Sequence, residues 1–149
     1  MARRLLGSHT YMTMATAGAD GDPWVSPVYF AAGDRDGLLW VSEPGTRHSL
    51  NIAARPRIAV VIFDSRVAIG EAQALYGSGE AAEVAGEQLV TAIAAFSRGS
   101  QADGAGAWSV EEVTAPARLR LYRAAITSWS VLDSLGDSRE GDRRTQVTL

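Results

Sequence analysis

The chain has 149 residues, a formal net charge of −3 and no cysteine. Its length fits one domain, which buries roughly 70% of its unfolded surface and folds without a metal ion or a disulfide. The missing cysteine excludes disulfides, thiolate metal sites and cysteine nucleophiles. A pI of about 5.3 argues against a general nucleic-acid-binding protein.

The chain contains no lysine, so every permanent side-chain cation is an arginine. This excludes a P-loop lysine and a Schiff-base lysine, and any anion site must use arginine, histidine, hydroxyl or backbone N–H groups. The two histidines, His9 and His48, lie far apart without a metal-binding spacing, so no metal site is predicted. No apolar run has the length of a transmembrane helix or a signal peptide. We therefore expect a cytoplasmic protein that binds neither membranes nor nucleic acid.

The first part of the chain alternates strand patterns with turn signals. A short leading helix is predicted over residues 3–9. Three strands are predicted after it, over residues 11–17, 24–32 and 38–42. Pro27 cannot donate a hydrogen bond to a neighbouring strand, so the second of these strands is expected to lie at an edge or to contain a bulge. Residues 33–37 are predicted to form the turn that precedes the third strand.

A short helix is predicted next, capped by Thr46 and ended by Pro56. The continuous apolar run 58–63 predicts a strand buried on both faces. Residues 72–76 and 79–84 indicate one long strand with a bend marked by glycine. A second main helix is predicted over 86–98, since Leu89, Ile93 and Phe96 recur at helical spacing.

The last third of the chain is predicted to begin with a glycine-rich loop over 101–107. Ser109 and Glu112 resemble a capping box for one further turn of helix. The longest strand is predicted over 119–132, a polar loop over 133–144 and a final strand over 145–149. This order of elements predicts a mainly β, α+β fold whose antiparallel sheet closes on itself and so hides its edges.

The segment 42–51 contains the polar residues that are most informative about function. A strand ends there, the chain turns on Pro-Gly, and a helix begins at Thr46 with Arg47 and His48 in its first turn. The unpaired N–H groups and the dipole of a helix start favour an anion, and an arginine can bind a phosphate through two parallel hydrogen bonds. The pattern therefore indicates a phosphate pocket. Local chemistry alone favours an ordinary capped helix with a solvated Arg-His pair.

Four segments, by their sequence patterns and their order along the chain, resemble the pyridoxamine 5'-phosphate oxidase-like flavoproteins. Together they cover about residues 11–133. The one that resembles their phosphate-binding segment runs from Ser42 through Gly45-Thr46-Arg47-His48, Asn51-Ile52 and Arg55-Pro56-Arg57 to Ile58-Ala59-Val60-Val61. Similar to their opening hairpin are Ala15-Thr16, Asp20-Gly21, Pro23 and Pro27-Val28-Tyr29-Phe30. Similar to two later strands are Ala74-Leu75-Tyr76, Gly79-Glu80-Ala81, Leu121-Tyr122-Arg123-Ala124 and Ser128-Trp129-Ser130-Val131-Leu132-Asp133.

The resemblance implies a six-stranded antiparallel split β-barrel with two or three peripheral helices. The barrel core would span about 11–133, and residues 134–149 would form a C-terminal segment. It also implies a homodimer that pairs through a wide apolar face and holds one FMN in each groove between the subunits. The flavin would carry out the electron or hydride transfer, so no catalytic side chain is assigned.

The resemblance also implies a set of cofactor-binding residues. Those that would hold the FMN phosphate, or face it, are Ser42, Thr46, Arg47, His48 and Asn51. Those that would lie along or reach the isoalloxazine are Ser26, Pro27, Val28 and Gln73. Trp129 would close over the cofactor from the partner subunit, or else be an aromatic side chain of the barrel end or dimer core. Family members often have lysine where His48 stands.

The implied activity is that of an FMN-dependent oxidoreductase acting on a small planar or conjugated substrate. Ser26 replaces an arginine of the true oxidase, and Arg143-Arg144 only roughly matches its basic C-terminal segment, so pyridoxamine 5'-phosphate is not the expected substrate. One alternative is a reductase that uses the deazaflavin coenzyme F-420, with Arg118, Arg120 or Arg123 lining the groove for its acidic tail. The other is a flavin- or heme-binding module without turnover.

Overall fold

A computed structural model of the chain describes residues 1–33, 37–68, 71–133 and 143–149. The helices are α1 (Ala2–Ser8), α2 (Arg47–Ala54) and α3 (Glu87–Ala102), with a short 3-10 turn at Glu111–Val113. The strands are β1 (Tyr11–Ala17), β2 (Pro23–Tyr29), β3 (Ala31–Ala32), β4 (Gly37–Ser42), β5 (Arg57–Phe63), β6 (Ala74–Glu83), β7 (Arg120–Asp133) and β8 (Arg143–Val147). No helix in these ranges is long and apolar enough to cross a membrane.

The strands form one antiparallel sheet in the order β2-β1-β5-β6-β7-β4-β3, and β8 pairs with the last residues of β7 on the same edge as β4. The sheet curls around an apolar core, which confirms the predicted mainly β split barrel. The predicted count of six strands is wrong, since the described residues form eight. The predicted strand 24–32 is divided at Phe30 into β2, which pairs with β1, and β3, which pairs with β4, and β8 adds to β7.

Two apolar clusters pack on opposite sides of β4. Inside the barrel, Leu38 and Trp40 meet the inward side chains of β1, β5, β6 and β7. Outside it, Leu39 packs with Phe96 of α3 and Leu121 of β7. Neighbouring residues of β4 therefore enter different cores, as the period of two in a strand requires.

The prediction that β5 is buried on both faces is wrong. Ile58, Val60 and Ile62 are buried in the barrel, whereas Ala59 and Phe63 on the other face are exposed. Phe63 keeps 47% of its surface exposed, and Tyr11 and Val25 on the outer face of the neighbouring strands keep 62% and 57%. Apart from Tyr29, which packs against Phe96 of α3, the outer face of β2, β1 and β5 is thus apolar and covered by no part of the chain that the structure describes.

The two main helices confirm the predicted elements, although α3 is longer than expected. Helix α2 begins after Thr46, as predicted. Helix α3 continues through Gly99 to Ala102 instead of ending near Arg98. A Cβ built on Gly99 would lie 2.6 Å from the Cβ of Ala31, so this glycine permits a close helix–strand contact and does not end the helix.

Other predicted features have mixed outcomes. The bend in β6 is confirmed by a register shift between Ser78 and Gly79. The capping box is confirmed by a 2.8 Å hydrogen bond from the Ser109 N–H to a carboxylate oxygen of Glu112. β2 lies at the end of the strand order, as Pro27 predicts. Residues 34–36 of the predicted turn and 134–142 of the predicted loop lie outside the described residues, while Arg143 belongs to β8.

Candidate functional site

Helix α2 begins with backbone donors that no side chain caps. Thr46 is the N-cap in an extended conformation, with φ −69° and ψ 152°, and its hydroxyl makes no capping bond. The first hydrogen bond of the helix joins the Leu50 N–H to the Thr46 carbonyl at 3.0 Å. The N–H groups of the first turn therefore point out of the helix at its positive end, where an anion is stabilised.

A hydroxyl and imidazole cluster lies beside this helix start. The Nε2 atom of His48 is 2.8 Å from the Ser42 Oγ and 3.1 Å from the Thr46 Oγ1. The Thr46 Oγ1 is also 2.9 Å from the Oγ of buried Ser49. We call Ser42, Thr46, Arg47 and His48 the α2 corner. The end of β4 and the start of α2 bring the side chains of Ser42, Thr46 and His48 together, and Arg47 lies between the last two in the chain.

Burial lowers the pKa of His48 below its ordinary value of 6.5. The imidazole therefore favours the neutral form, which can either accept or donate at Nε2 toward the two hydroxyls. A phosphate placed in the corner would act in the opposite direction, since a nearby negative charge favours the imidazolium form. The protonation state of His48 is thus coupled to the binding of an anion at this position.

Arg47 reaches the neighbouring hairpin, away from the hydroxyl cluster. One of its terminal nitrogens, Nη2, donates to a carboxylate oxygen of Asp22 in the β1–β2 turn. Its guanidinium carbon lies 4.4 Å from the centroid of the Trp24 ring, which adds a cation–π contact. A guanidinium carries five N–H donors, so the pair with Asp22 leaves others for an anion.

Asn51 anchors α2 to the barrel. Its side-chain amide donates to the Thr16 hydroxyl at 3.0 Å, and both residues are buried. One turn later, Arg55 donates to the Ala19 carbonyl at 2.9 Å. The amide of Asn51 therefore fixes the position of the helix, and its predicted role toward the phosphate stays a prediction.

Sequence reasoning missed four neighbours of the corner, which are Thr16, Asp22, Trp24 and Ser49. Thr16 could have been found, because it is the polar inward position of a strand that otherwise places Met12 and Met14 inside. Asp22 could not have been found, because its partner Arg47 follows it by 25 positions along the chain and only the fold brings the two together.

The three predicted residues of β2 do not share a face. Ser26 and Val28 are buried, whereas Pro27 between them is exposed. The Ser26 hydroxyl accepts a hydrogen bond from the Trp24 indole nitrogen at 3.0 Å. Since β2 is an edge strand, backbone groups on its open side are available to a ligand, as the prediction for the isoalloxazine requires.

The structure does not bring Gln73 and Trp129 to the corner. Gln73 precedes β6 and accepts a hydrogen bond from Arg4 of α1, at the end of the β5–β6 ladder opposite to α2. Trp129 is buried in the core of its own barrel, with 5% of its surface exposed and no partner for its indole N–H. It therefore has the environment of a core aromatic within its own chain, and its predicted contact with a cofactor in the partner subunit stays a prediction.

The three arginines considered for an acidic cofactor tail do not line one groove. Arg118 is exposed and pairs with Glu43 at 2.8 Å. Arg120 donates to the carbonyls of Ala117 and Leu119. Arg123 projects from β7 toward α3. In the described residues no group of three or more His, Asp or Glu side chains could hold a metal ion.

Comparison with known proteins agrees with this fold. The family model described as pyridoxamine 5'-phosphate oxidase matches residues 1–133. No curated protein matches the chain.

Similar solved structures bind different molecules by their descriptions. A heme-binding protein from Mycobacterium smegmatis has 19% sequence identity and a TM-score of 0.74, over 97% of this chain and 56% of that protein. The heme storage protein HutZ from Vibrio cholerae has 18% identity and a TM-score of 0.66, over 83% and 86%. A proposed pyridoxamine 5'-phosphate oxidase from Listeria innocua has 16% identity and a TM-score of 0.63, over 87% and 94%. Our chain thus spans little more than half the length of the Mycobacterium protein, and these likenesses carry the fold alone.

Proposed function

Because the chain belongs to the pyridoxamine 5'-phosphate oxidase family, we propose that it binds FMN through the α2 corner and acts as an oxidoreductase on a small molecule. The observation that carries this proposal is the position of His48, within 3.1 Å of two hydroxyls beside an uncapped helix start. Hydroxyls, an imidazole and open N–H groups are the donors that a phosphate monoester needs.

The corner offers a phosphate positive charge as well as hydrogen-bond donors. Arg47 lies in the first turn of α2, and its pair with Asp22 uses only one of its terminal nitrogens. Its remaining N–H donors can turn to a phosphate oxygen while the stack on Trp24 holds the guanidinium plane. Protonated His48 would add a second positive charge, which replaces the lysine that many family members carry there.

When bound, FMN would supply the electron or hydride transfer, and the residues of this chain would position it. The α2 corner would fix the phosphate end, and the open backbone of edge strand β2 would bind the polar edge of the ring system. Deazaflavin coenzyme F-420 is less well supported, because Arg118, Arg120 and Arg123 do not line one groove for its acidic tail.

A second copy of the chain would complete the site. The outer face of β2, β1 and β5 is apolar and uncovered, with Tyr11, Val25 and Phe63 each about half exposed or more. Exposed apolar surface of this kind marks an interaction site, and a symmetric dimer would bury it on both copies. We therefore propose a homodimer with the flavin at its interface.

The test is to purify the full chain, identify any released ligand by mass spectrometry, and titrate the stripped protein with FMN and with riboflavin. We expect FMN to bind and riboflavin, which lacks the phosphate, to bind far more weakly. Arg47→Ala should weaken FMN binding about tenfold to hundredfold, since a hydrogen bond to a charged group contributes roughly 1.5–3 kcal/mol. Unchanged FMN affinity in this variant would remove the phosphate assignment.

Arg66→Ala is the matched control. Arg66 also pairs with an aspartate, Asp64, at 3.0 Å on an exposed surface, but it lies outside the α2 corner. The two variants lose the same charge and the same kind of ion pair. Equal weakening of FMN binding in both would indicate a general effect of net charge instead of a phosphate contact.

Heme binding without turnover is the second candidate, favoured by the two heme-associated structures of similar fold. His48 fits poorly as an axial ligand, because its Nε2 is already within hydrogen-bonding distance of two hydroxyls. His9 fits better, since its Nδ1 lies 2.9 Å from the Leu5 carbonyl and its Nε2 is the nitrogen left to a metal. A Soret shift on heme addition that is lost in His9→Ala would support this candidate over flavin binding.

A further inference from the structure

A cavity of about 390 Å³ lies between the first half of α3 and the outer face of the sheet. This volume is within the roughly 300–1,000 Å³ typical of small-ligand sites. Its apolar wall is formed by Leu39 of β4, by Val84 after β6, and by Ala92 and Ala95 of α3. None of the lining residues belongs to the α2 corner, so the cavity is a separate feature of the fold.

Arg123 supplies the charge in this cavity. It lies on β7, opposite Leu39 on one side and Ala82 on the other, and it is half-buried. The ion pairs among the described residues leave it without a carboxylate partner. A half-buried cation beside an apolar wall is unfavourable unless a negative group approaches it.

A second space of about 580 Å³ adjoins the first and is lined by the same arginine. The two cavities also share Val84 and Gln88, so Arg123 stands at the centre of one continuous groove. Gln88 and Thr91 of α3 add neutral hydrogen-bonding groups to its rim. Besides its carboxylates, the groove thus offers one cation, two neutral polar groups and an apolar wall.

The other charges at the groove limit what it can bind. Glu87 lines the first cavity, and Glu80 and Glu83 line the second. Glu83 is 3.6 Å from Arg120 and so is partly neutralised, but Glu80 and Glu87 are not paired with any described residue. These carboxylates repel an anion in proportion to its charge, so they disfavour dianions such as phosphate monoesters and dicarboxylates more than a monoanion whose single charge is paired with Arg123.

We propose that this groove binds a small amphipathic monocarboxylate, a short aliphatic or aromatic acid. Its carboxylate pairs with Arg123 in a two-pronged hydrogen bond, the geometry for which a guanidinium is suited. Its apolar body packs against Leu39, Val84 and Ala92. The inference goes beyond the proposed flavin function and does not depend on it.

The test is a titration of the full chain, as purified, with benzoate and with hexanoate, followed by calorimetry and by NMR shifts. Benzamide, which has the shape of benzoate without its charge, is the ligand control. We expect saturable binding of at least one acid at one site per chain, and benzamide weaker by about tenfold or more, since a charge-assisted contact is lost. No saturable binding of either acid, or equal binding of benzamide, overturns the proposal.

Three variants locate the site. Arg123→Gln should weaken acid binding about tenfold or more, whereas Arg98→Gln on the exposed side of α3 should leave it unchanged. Ala92→Leu fills the apolar wall without changing any charge, and it should also abolish binding even if Arg123→Gln folds poorly. Retained binding in Arg123→Gln or in Ala92→Leu overturns the assignment.

A fourth variant separates this site from the α2 corner. Arg47→Ala should bind the acid as the unmodified chain does, whatever its effect on FMN. Loss of acid binding in Arg47→Ala would place the carboxylate in the α2 corner and overturn the proposal, while loss of FMN binding alone would leave it intact.

Discussion

Helices α2 and α3 both pack on the barrel, but they bury different kinds of side chain. Helix α3 buries Leu89, Ile93 and Phe96, and its buried Ser97 accepts a hydrogen bond from the Trp108 N–H at 2.8 Å. Helix α2 buries Ser49 and Asn51 beside a single isoleucine. The polar groups of α3 are thus committed to the backbone of the following loop, whereas those of α2 contact other side chains.

This difference separates stability from binding within one small fold. Side-chain hydroxyls that bond to one another can exchange those bonds for a ligand without unfolding a backbone segment. An apolar helix face has no such freedom, because each lost contact leaves a cavity. We therefore expect substitutions in α3 to change the free energy of unfolding and substitutions in the α2 corner to change ligand affinity.

Phe96→Ala should have the largest effect. The ring is 1% exposed and lies edge-on to Tyr29 and Trp108, with centroid distances of 5.8 and 5.7 Å. Removing a buried phenylalanine costs about 3–5 kcal/mol of unfolding free energy. Chemical denaturation measures this loss, and the fraction that stays folded should bind FMN with the affinity of the unmodified chain.

The exposed Val90 of the same helix provides the control for Phe96→Ala. Val90 is 62% exposed, so Val90→Ala should change the unfolding free energy by less than about 1 kcal/mol. If folded Phe96→Ala protein loses its FMN affinity, the two helices are coupled, and the separation of stability from binding does not hold.

The elements near turn signals could be predicted from the sequence, because glycine and proline act locally. β1 matches its predicted range of 11–17, and α2 begins after Thr46 as the capping pattern indicates. The corner residues Ser42, Thr46 and His48 could be predicted together for the same reason, since only a short turn separates β4 from α2. Their proximity needs no long-range contact.

Features that depend on a distant neighbour could not be predicted. The break at Phe30 comes from a change of pairing partner, from β1 to β4, and Gly99 is required by its contact with Ala31. The alternation of buried and exposed side chains in β5 could not be predicted, because most of its outward-facing residues are also apolar. Trp129 fits inside the barrel because its partner on β6, Gly77, has no side chain. A Cβ on Gly77 would fall 2.8 Å from the indole ring, and only the β6–β7 pairing places the two residues opposite each other.

The pH dependence of FMN binding should give the next largest effect within the α2 corner. Burial lowers the pKa of His48 below 6.5 in the free protein, and a bound phosphate raises it. FMN binding then takes up a proton between these two pKa values, so affinity should rise as pH falls through that window, by at most about tenfold per pH unit for one proton. Titrations from about pH 8 to pH 6.5, above the second phosphate pKa near 6, measure this slope.

His48→Gln should flatten that slope, because glutamine keeps a hydrogen-bonding group but does not titrate. The same substitution should also stabilise the free protein at low pH. In the unmodified chain the unfolded state binds a proton at His48 more readily than the folded state, so stability falls as pH drops below 6.5. An unchanged slope in His48→Gln would remove the imidazole from the phosphate site.

Asp22→Asn should have the smallest effect on FMN binding, and it should strengthen binding where Arg47→Ala weakens it. Asp22 and Arg47 are about half exposed, so their ion pair is weak, and the carboxylate competes with a phosphate for the same guanidinium. Removing its charge should therefore strengthen FMN binding about twofold to fivefold, the range that corresponds to an exposed pair. Asp64→Asn removes a matching charge from the Arg66 pair and should leave FMN affinity unchanged. Weaker binding in Asp22→Asn would mean that Asp22 orients Arg47 toward the ligand, and the corner would then depend on the β1–β2 turn as much as on the start of α2.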